Sequence, residues 1–193
     1  MNFAEKWNLT NDEWDLISCL PLHTSYIVSK ADGVINKEET DPYFGFRDLM
    51  CSKDDNSALV DICITSKDRT ERNINELQIL DDYILNYGLK NEEGAYVRKE
   101  LVVDHFLRVL NLFDEHNKEK IKEYCFHLAI KTAFSYGIPD NPMDINEKKA
   151  MNELFNWLEI DFDQEVVFQS NNFDRYKEVV NFLLDSGNAY VCK

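Results

Sequence analysis

A chain of 193 residues has room for one domain with a substantial core, and two full domains would be tight. Hydrophobic residues at 44% and aromatics at 12%, with only 6 glycines and 4 prolines, exclude a disordered or fibrous chain and favour long helices. The 36 acids exceed the 21 basic residues, and the resulting net charge of −15 repels nucleic-acid backbones and anionic membranes while attracting cations and basic protein surfaces; solubility alone is the other reading of that charge.

The first residues, Met1-Asn2-Phe3-Ala4-Glu5-Lys6-Trp7, lead to Asp12, Glu13 and Asp15 with no basic region followed by an apolar run, so no signal peptide is expected. Ile17, Leu20, Ile27 and Ala31 then fall on one helical face. The stretch from Ala31 to Glu39 sets an acid and a glycine, Asp32-Gly33, before an apolar Ile35 and the acids Glu38 and Glu39. Its spacing is that of the second half of an EF-hand calcium loop, but Val28 and Lys30 stand where the two earlier ligands belong, which rules out a standard calcium loop. Residues Ala58 to Thr65 are short and apolar enough to pass for a strand.

Helical periods resume with Ile74, Leu77, Leu80, Ile84 and Tyr87 before Gly88, then with Val102, Phe106, Val109 and Phe113. Ile121, Cys125, Leu128 and Thr132 begin a segment closing at Gly137, and the loop 137–142 carries Pro139 and Pro142. Met151, Leu154, Phe155 and Leu158 mark the next helix; Phe173, Tyr176, Val180, Leu183 and Leu184 mark the last. The expectation is an all-α bundle of seven to nine helices. Within it, two helix-turn-helix units resemble each other, Leu20 to Met50 and Ile121 to Leu158, each with an Ile-Asn step opening its second helix. No stretch is long and apolar enough for a membrane span, because Asp104, His105 and Arg108 interrupt the most apolar one. Five cysteines without a CxxC pair suggest neither a disulfide framework nor a zinc knuckle, so a reducing, cytoplasmic setting is expected, with Cys19, Cys63 and Cys125 as small core hydrophobes.

The acids permit two readings. Asn36 to Glu39 and Asp144-Ile145-Asn146-Glu147 both fit capping boxes, which would account for Glu39, Asp144 and Glu147 by helix initiation. Asp32 instead closes a helix, where the macrodipole disfavours an acid, so it needs either an Asx turn onto Val34 or Ile35 or a cation shared with Glu38 or Glu39. The candidate divalent-cation ligands, for Ca2+ or Mg2+, are therefore Asp32, Glu38, Glu39, Asp144 and Glu147. His23, His105, His116 and His127, with Glu123 and the Asp114-Glu115-His116 cluster, lack zincin or di-iron spacing and read better as solvated helix charges. With no nucleophile elbow, phosphate loop or kinase signature, no enzyme is expected.

The helix ending in Ala31-Asp32-Gly33, the apolar residue two beyond the glycine and the acid opening the next helix resemble the tellurite-resistance TerB-like domain. Asp144 to Glu147, followed by Met151, Leu154, Phe155 and Leu158, resembles that family's second motif, so the domain would cover 12–168 and leave a helical extension at 169–193. The resemblance implies a non-enzymatic helical interaction module that senses divalent cations and works with membrane-linked partners in bacterial stress response or phage defence. The expected partner is a protein with a basic or membrane-associated surface, with no nucleic acid and no membrane insertion; the last helix could also pair two copies. The −15 charge supports an alternative, an acidic inhibitor, immunity protein or nucleic-acid mimic that blocks a basic enzyme surface.

Overall fold

The computed structural model describes residues 2–31, 37–53, 55–88, 99–134 and 145–160, with backbone alone for 37–40 and 99–101. Among these the chain is all-α: α1 (Phe3–Lys6), α2 (Asn11–Ser18), α3 (Leu20–Ser29), α4 (Lys37–Cys51), α5 (Ala58–Glu71), α6 (Glu76–Asn86), α7 (Lys99–Leu110), α8 (Glu115–Ala133) and α9 (Ile145–Trp157). The ambiguous stretch from Ala58 is the first half of α5. Two of its hydroxyls bond back within the helix, Thr65 Oγ1 donating to the Asp61 carbonyl at 2.8 Å and Thr70 Oγ1 to that of Ser66 at 3.0 Å. The last periodic segment, 173–184, and the boundary expected at 168 lie outside the described residues.

Helices α3 and α8 pack on each other at the centre; α3 also packs on α4 and α9, and α8 on α4, α5 and α9. The two hairpins read from the sequence thus form the middle of the bundle, while α2 bridges α5, α6 and α7 at its flank. Helix α3 can serve as the central element because its inner positions are small: Thr24, Ser25, Val28 and Ser29 are all buried. Ala129, Thr132 and Ala133 of α8 are equally small and buried, and Ser25 Oγ and Thr132 Oγ1 lie 3.1 Å apart. Small side chains at i, i+3 and i+4 let two helices approach closely, and each hydroxyl supplies the other's hydrogen bond. The large core residues Phe106, Phe155, Leu16, Ile17, Ile62 and Ile84 fill the space around that contact.

Helix ends are fixed by side chains and by a repeated reversal. Thr10 and Glu13 form a reciprocal capping box on α2, and Asp114 caps α8 through the amide of Asn117. Ser57 makes no side-chain cap for α5; Asn117 Oδ1, from the start of α8, accepts the Ala58 amide at 2.9 Å in its place. After α1, α5 and α9 a non-glycine residue takes positive φ, at Asn8, Asn73 and Glu159. In each case the following amide closes a Schellman bond: Leu9 to Ala4, Ile74 to Arg69 and Ile160 to Phe155, at 2.9, 2.8 and 3.0 Å. The buried Lys122 ammonium further holds the end of α9 by donating to the Glu159 carbonyl at 3.3 Å.

The α5–α6 reversal turns Arg69 and Glu76 inward. Arg69 reaches Asp15 Oδ1 at 2.5 Å, Ser18 Oγ at 2.8 Å and Glu76 Oε1 at 3.4 Å. The other Glu76 oxygen accepts from Tyr43 Oη at 2.8 Å and Ser66 Oγ at 2.9 Å, which brings the two hydroxyls into contact with each other. Removing the cation would strand a buried carboxylate, so Arg69→Met is expected to cost about 3–5 kcal/mol, roughly 10 °C in Tm. Lys120→Ala, which removes a half-exposed pair with Asp55 at 2.8 Å, is expected to cost less than about 1 kcal/mol. Thermal and urea unfolding followed by far-UV circular dichroism measures both, and equal losses would deny the inner pair its structural role.

Candidate functional site

The acids read as cation ligands are mostly outside the described structure. Asp32 and Asp144 fall there entirely, and the side chains of Glu38 and Glu39, in the first turn of α4, are likewise not described. Glu147 stands in the first turn of α9, buried and engaged in contact. Among the described residues, no group of three or more His, Cys, Asp or Glu is placed to hold a metal ion. The histidines separate. His127 and Glu123 form an exposed i, i+4 pair at 3.6 Å, while His116 follows the Asp114 cap on the first turn of α8. His105 Nδ1 lies 2.9 Å from Tyr83 Oη, and Tyr87 stacks on Tyr83 with ring centroids 4.4 Å apart.

Cys19, Cys63 and Cys125 are buried as expected, and burial pushes each thiol up to about 12. Burial thus favours the neutral thiol at each position, as befits small core residues.

A concave site is formed by described residues of four helices. A cavity of about 540 Å3 opens between α3, α6, α7 and α9, within the ~300–1,000 Å3 usual for small-molecule sites. Its lining combines the buried Leu80, Val102 and Val103 with the exposed Lys30 and Glu153. Trp157 and Tyr26 add aromatic surface, and Lys30 Nζ is held by Tyr26 Oη at 3.0 Å. His23 forms part of the wall with its imidazole stacked on Phe106, centroids 5.3 Å and planes 23° apart. No described group hydrogen-bonds that imidazole, and desolvation lowers its pKa to about 4, so it is neutral at physiological pH.

Three of the lining residues, Ala150, Glu153 and Trp157, belong to α9, and comparison with known proteins concerns that end of the chain. Residues 142–193 match the family described as tRNA synthetases class I (E and Q), catalytic domain. The chain is similar to glutamate–tRNA ligase 2 of Campylobacter fetus, 44% identical over 62 residues, which are 31% of this chain and 14% of that protein. It is similar also to glutamate–tRNA ligase 2 of Campylobacter concisus, 40% identical over 72 residues, 36% of this chain and 16% of that protein. With glutamate–tRNA ligase 1 of Helicobacter pylori the identity is 36% over 75 residues, 37% of this chain and 16% of that protein. The chain therefore spans about one-seventh of the length of the curated relatives it matches. No solved structure matches.

These likenesses overturn the TerB-like resemblance. The second of its two motifs, Asp144 to Leu158, opens the segment that matches synthetases, and an acid-capped amphipathic period is common to helices of any family. The non-enzymatic acidic module in stress response or phage defence falls with it, as does the inhibitor or nucleic-acid-mimic alternative: the matched family is one of enzymes. The expectation of no nucleic-acid partner is corrected as well, since the relatives are named as ligases of tRNA. The expectation about membranes keeps a narrower form: no described helix is long and apolar enough to cross one.

The cavity escaped the sequence because its polar residues come from helices far apart in the chain, His23, Asp81 and Glu153 sharing no local pattern. The neutral His23 ties stability to pH. Its folded pKa of about 4 lies below an unfolded value of about 6.5, so below pH 6.5 the unfolded chain binds the extra proton and folding stability falls, reaching a loss of about 2–3 kcal/mol near pH 4. His105, also lowered by desolvation, acts in the same direction, while Lys30, Asp81 and Glu153 face the same cavity. His23→Phe is expected to flatten the pH dependence between 6.5 and 5, above the range where most carboxylates titrate. Urea unfolding at stepped pH compares the two slopes, and parallel slopes would exclude a neutral buried His23.

Proposed function

We propose that this chain functions in aminoacyl-tRNA synthesis of the glutamate type, with 142–193 corresponding to a piece of a class I synthetase catalytic domain and the helical bundle as its support. The observation that carries this reading is the agreement of the family match at 142–193 with 36–44% identity to glutamate–tRNA ligases from three species. The way that segment begins adds physical support. Met151, Leu154 and Phe155 of α9, and Leu158 just after it, are buried, and α9 packs on α3 and α8, so this part of the matched segment belongs to the bundle core.

Contact with tRNA must overcome charge. Segment 142–193 holds ten acids and five basic residues, Lys148, Lys149, Arg175, Lys177 and Lys193, within a chain of net charge −15. Phosphate contacts would then be few and local, and affinity would be modest and salt-sensitive. The chain's short span relative to its relatives makes recognition of glutamate-specific tRNA a more direct readout than full ligation.

Fluorescence anisotropy with labelled tRNA tests the reading. Glutamate-specific tRNA is expected to bind the full chain in preference to a non-cognate tRNA. Reversing the exposed Lys149 together with Lys177 to Glu is expected to weaken binding about tenfold at 50 mM salt. Absence of binding, or equal binding of all tRNAs, would refute the reading.

A further inference from the structure

Two of the helices that line the cavity, α6 and α7, are joined by a ring cluster that neither the core nor the tRNA reading uses. Tyr83 of α6 lies with its Oη 2.9 Å from Nδ1 of His105 of α7, the two rings T-shaped at 5.7 Å and 81°. Tyr87, the C-cap of α6, completes the cluster: it stacks on Tyr83 with centroids 4.4 Å apart and meets His105 at 5.2 Å and 69°. Tyr83 is buried, whereas His105 is half-buried and Tyr87 exposed, so the bond is shielded and still within reach of a proton from solvent.

Its position gives this bond a consequence. Leu80 and Val102 line the cavity, and Tyr83 and His105 stand three residues further along the same two helices, so cavity wall and ring cluster are successive levels of one α6–α7 seam. Both helices also pack on α2, and Arg108 of α7 reaches Glu13 Oε1 of α2 at 3.2 Å.

The charges around His105 decide which protonation state the seam accepts. Arg108, one turn on, lies against the same Tyr83 hydroxyl and pairs with Glu13; Asp104 neighbours the imidazole on α7; Tyr83 and Tyr87 face it from α6. A guanidinium can only donate, so the arrangement that uses every atom has Tyr83 Oη turned as acceptor toward Arg108 while it donates its hydrogen to an unprotonated Nδ1. A proton on Nδ1 removes that acceptor, strands the hydroxyl hydrogen of a buried tyrosine and sets a second cation beside Arg108. Desolvation and Arg108 accordingly hold the His105 imidazole below its ordinary range, with Asp104 opposing them.

We propose that Tyr83 and His105 form a proton-operated clasp on the cavity: the neutral imidazole holds α6 to α7, and its protonation releases the bond and loosens the α6–α7 wall. The clasp is independent of the tRNA reading and stands or falls without it. It is also separable from His23 across the cavity, whose imidazole stays neutral in the folded chain down to about 4.

An NMR titration of the full chain between about pH 7.5 and about pH 5 tests the clasp, with the ring signals of His105 resolved from those of His116 and His127 of α8. The methyl signals of Leu80, Val102 and Val103 are expected to move with the midpoint of His105, and amide exchange in the second half of α6, corrected for its intrinsic pH dependence, to quicken about fivefold across it. Tyr83→Phe keeps the ring packing and removes the bond, so the midpoint of His105 should rise, because its neutral form loses a donor. His105→Gln offers Tyr83 an acceptor that does not titrate, and should abolish the methyl and exchange response. Cavity methyls that stay still while His105 titrates, an unchanged His105 midpoint in Tyr83→Phe, or a full response in His105→Gln would each overturn the proposal.

Discussion

The Arg69–Glu76 pair is the constraint around which the flank of this bundle is organised. The two residues lie on either side of the α5–α6 corner, and the Schellman reversal at Asn73 and Ile74 turns both inward. From there the guanidinium reaches Asp15 and Ser18 of α2, and the carboxylate collects Tyr43 of α4 and Ser66 of α5. Four helices thereby share one set of hydrogen bonds. Such a pair adds little net stability over a well-packed apolar substitute, but each half is costly to leave alone, so it penalises any arrangement in which α2, α4, α5 and α6 are not brought together. Glu76 is also the first residue of α6, where a negative charge meets the positive end of the helix dipole.

The centre of the bundle follows a different principle. Between α3 and α8 the contact is made by serine, threonine, alanine and valine, residues too small to fill space but well suited to close approach. Two further hydroxyls, Thr24 Oγ1 and Tyr124 Oη, are buried without a conventional hydrogen-bond partner. Their neighbours are the thiols of Cys125 and Cys63, weak partners that soften the cost of burial. The cysteines thus help to satisfy buried polar groups, a use consistent with thiols that desolvation keeps protonated.

Periodicity made the helices legible because each has a buried stripe: Val102, Phe106 and Val109 in α7 and Met151, Leu154 and Phe155 in α9 are buried as their spacing requires. Ala58 to Thr65 was ambiguous for a physical reason. As part of α5 it faces α2, α4 and α8, so nearly every side is covered and a run of buried residues replaces the helical alternation. The site was much less legible. An acidic turn such as Asp32-Gly33 announces itself in local sequence, whereas His23, Asp81 and Glu153 are assembled only by packing of three helices. Likewise a capped amphipathic pattern from Asp144 to Leu158 carries no family information by itself, so the affinity of 142–193 with synthetases came through sequence identity that periodicity does not register.

Helix α9 is where these threads meet. It contributes Met151, Leu154 and Phe155 to the core, Ala150, Glu153 and Trp157 to the cavity, and its own sequence to the synthetase-like segment. Its C-terminus is fixed twice, by the Ile160 to Phe155 bond and by Lys122 of α8 on the Glu159 carbonyl. Because these contacts share one helix, a substitution that loosens α9 on α3 or α8 is felt at the core, the cavity wall and the Lys122 contact together.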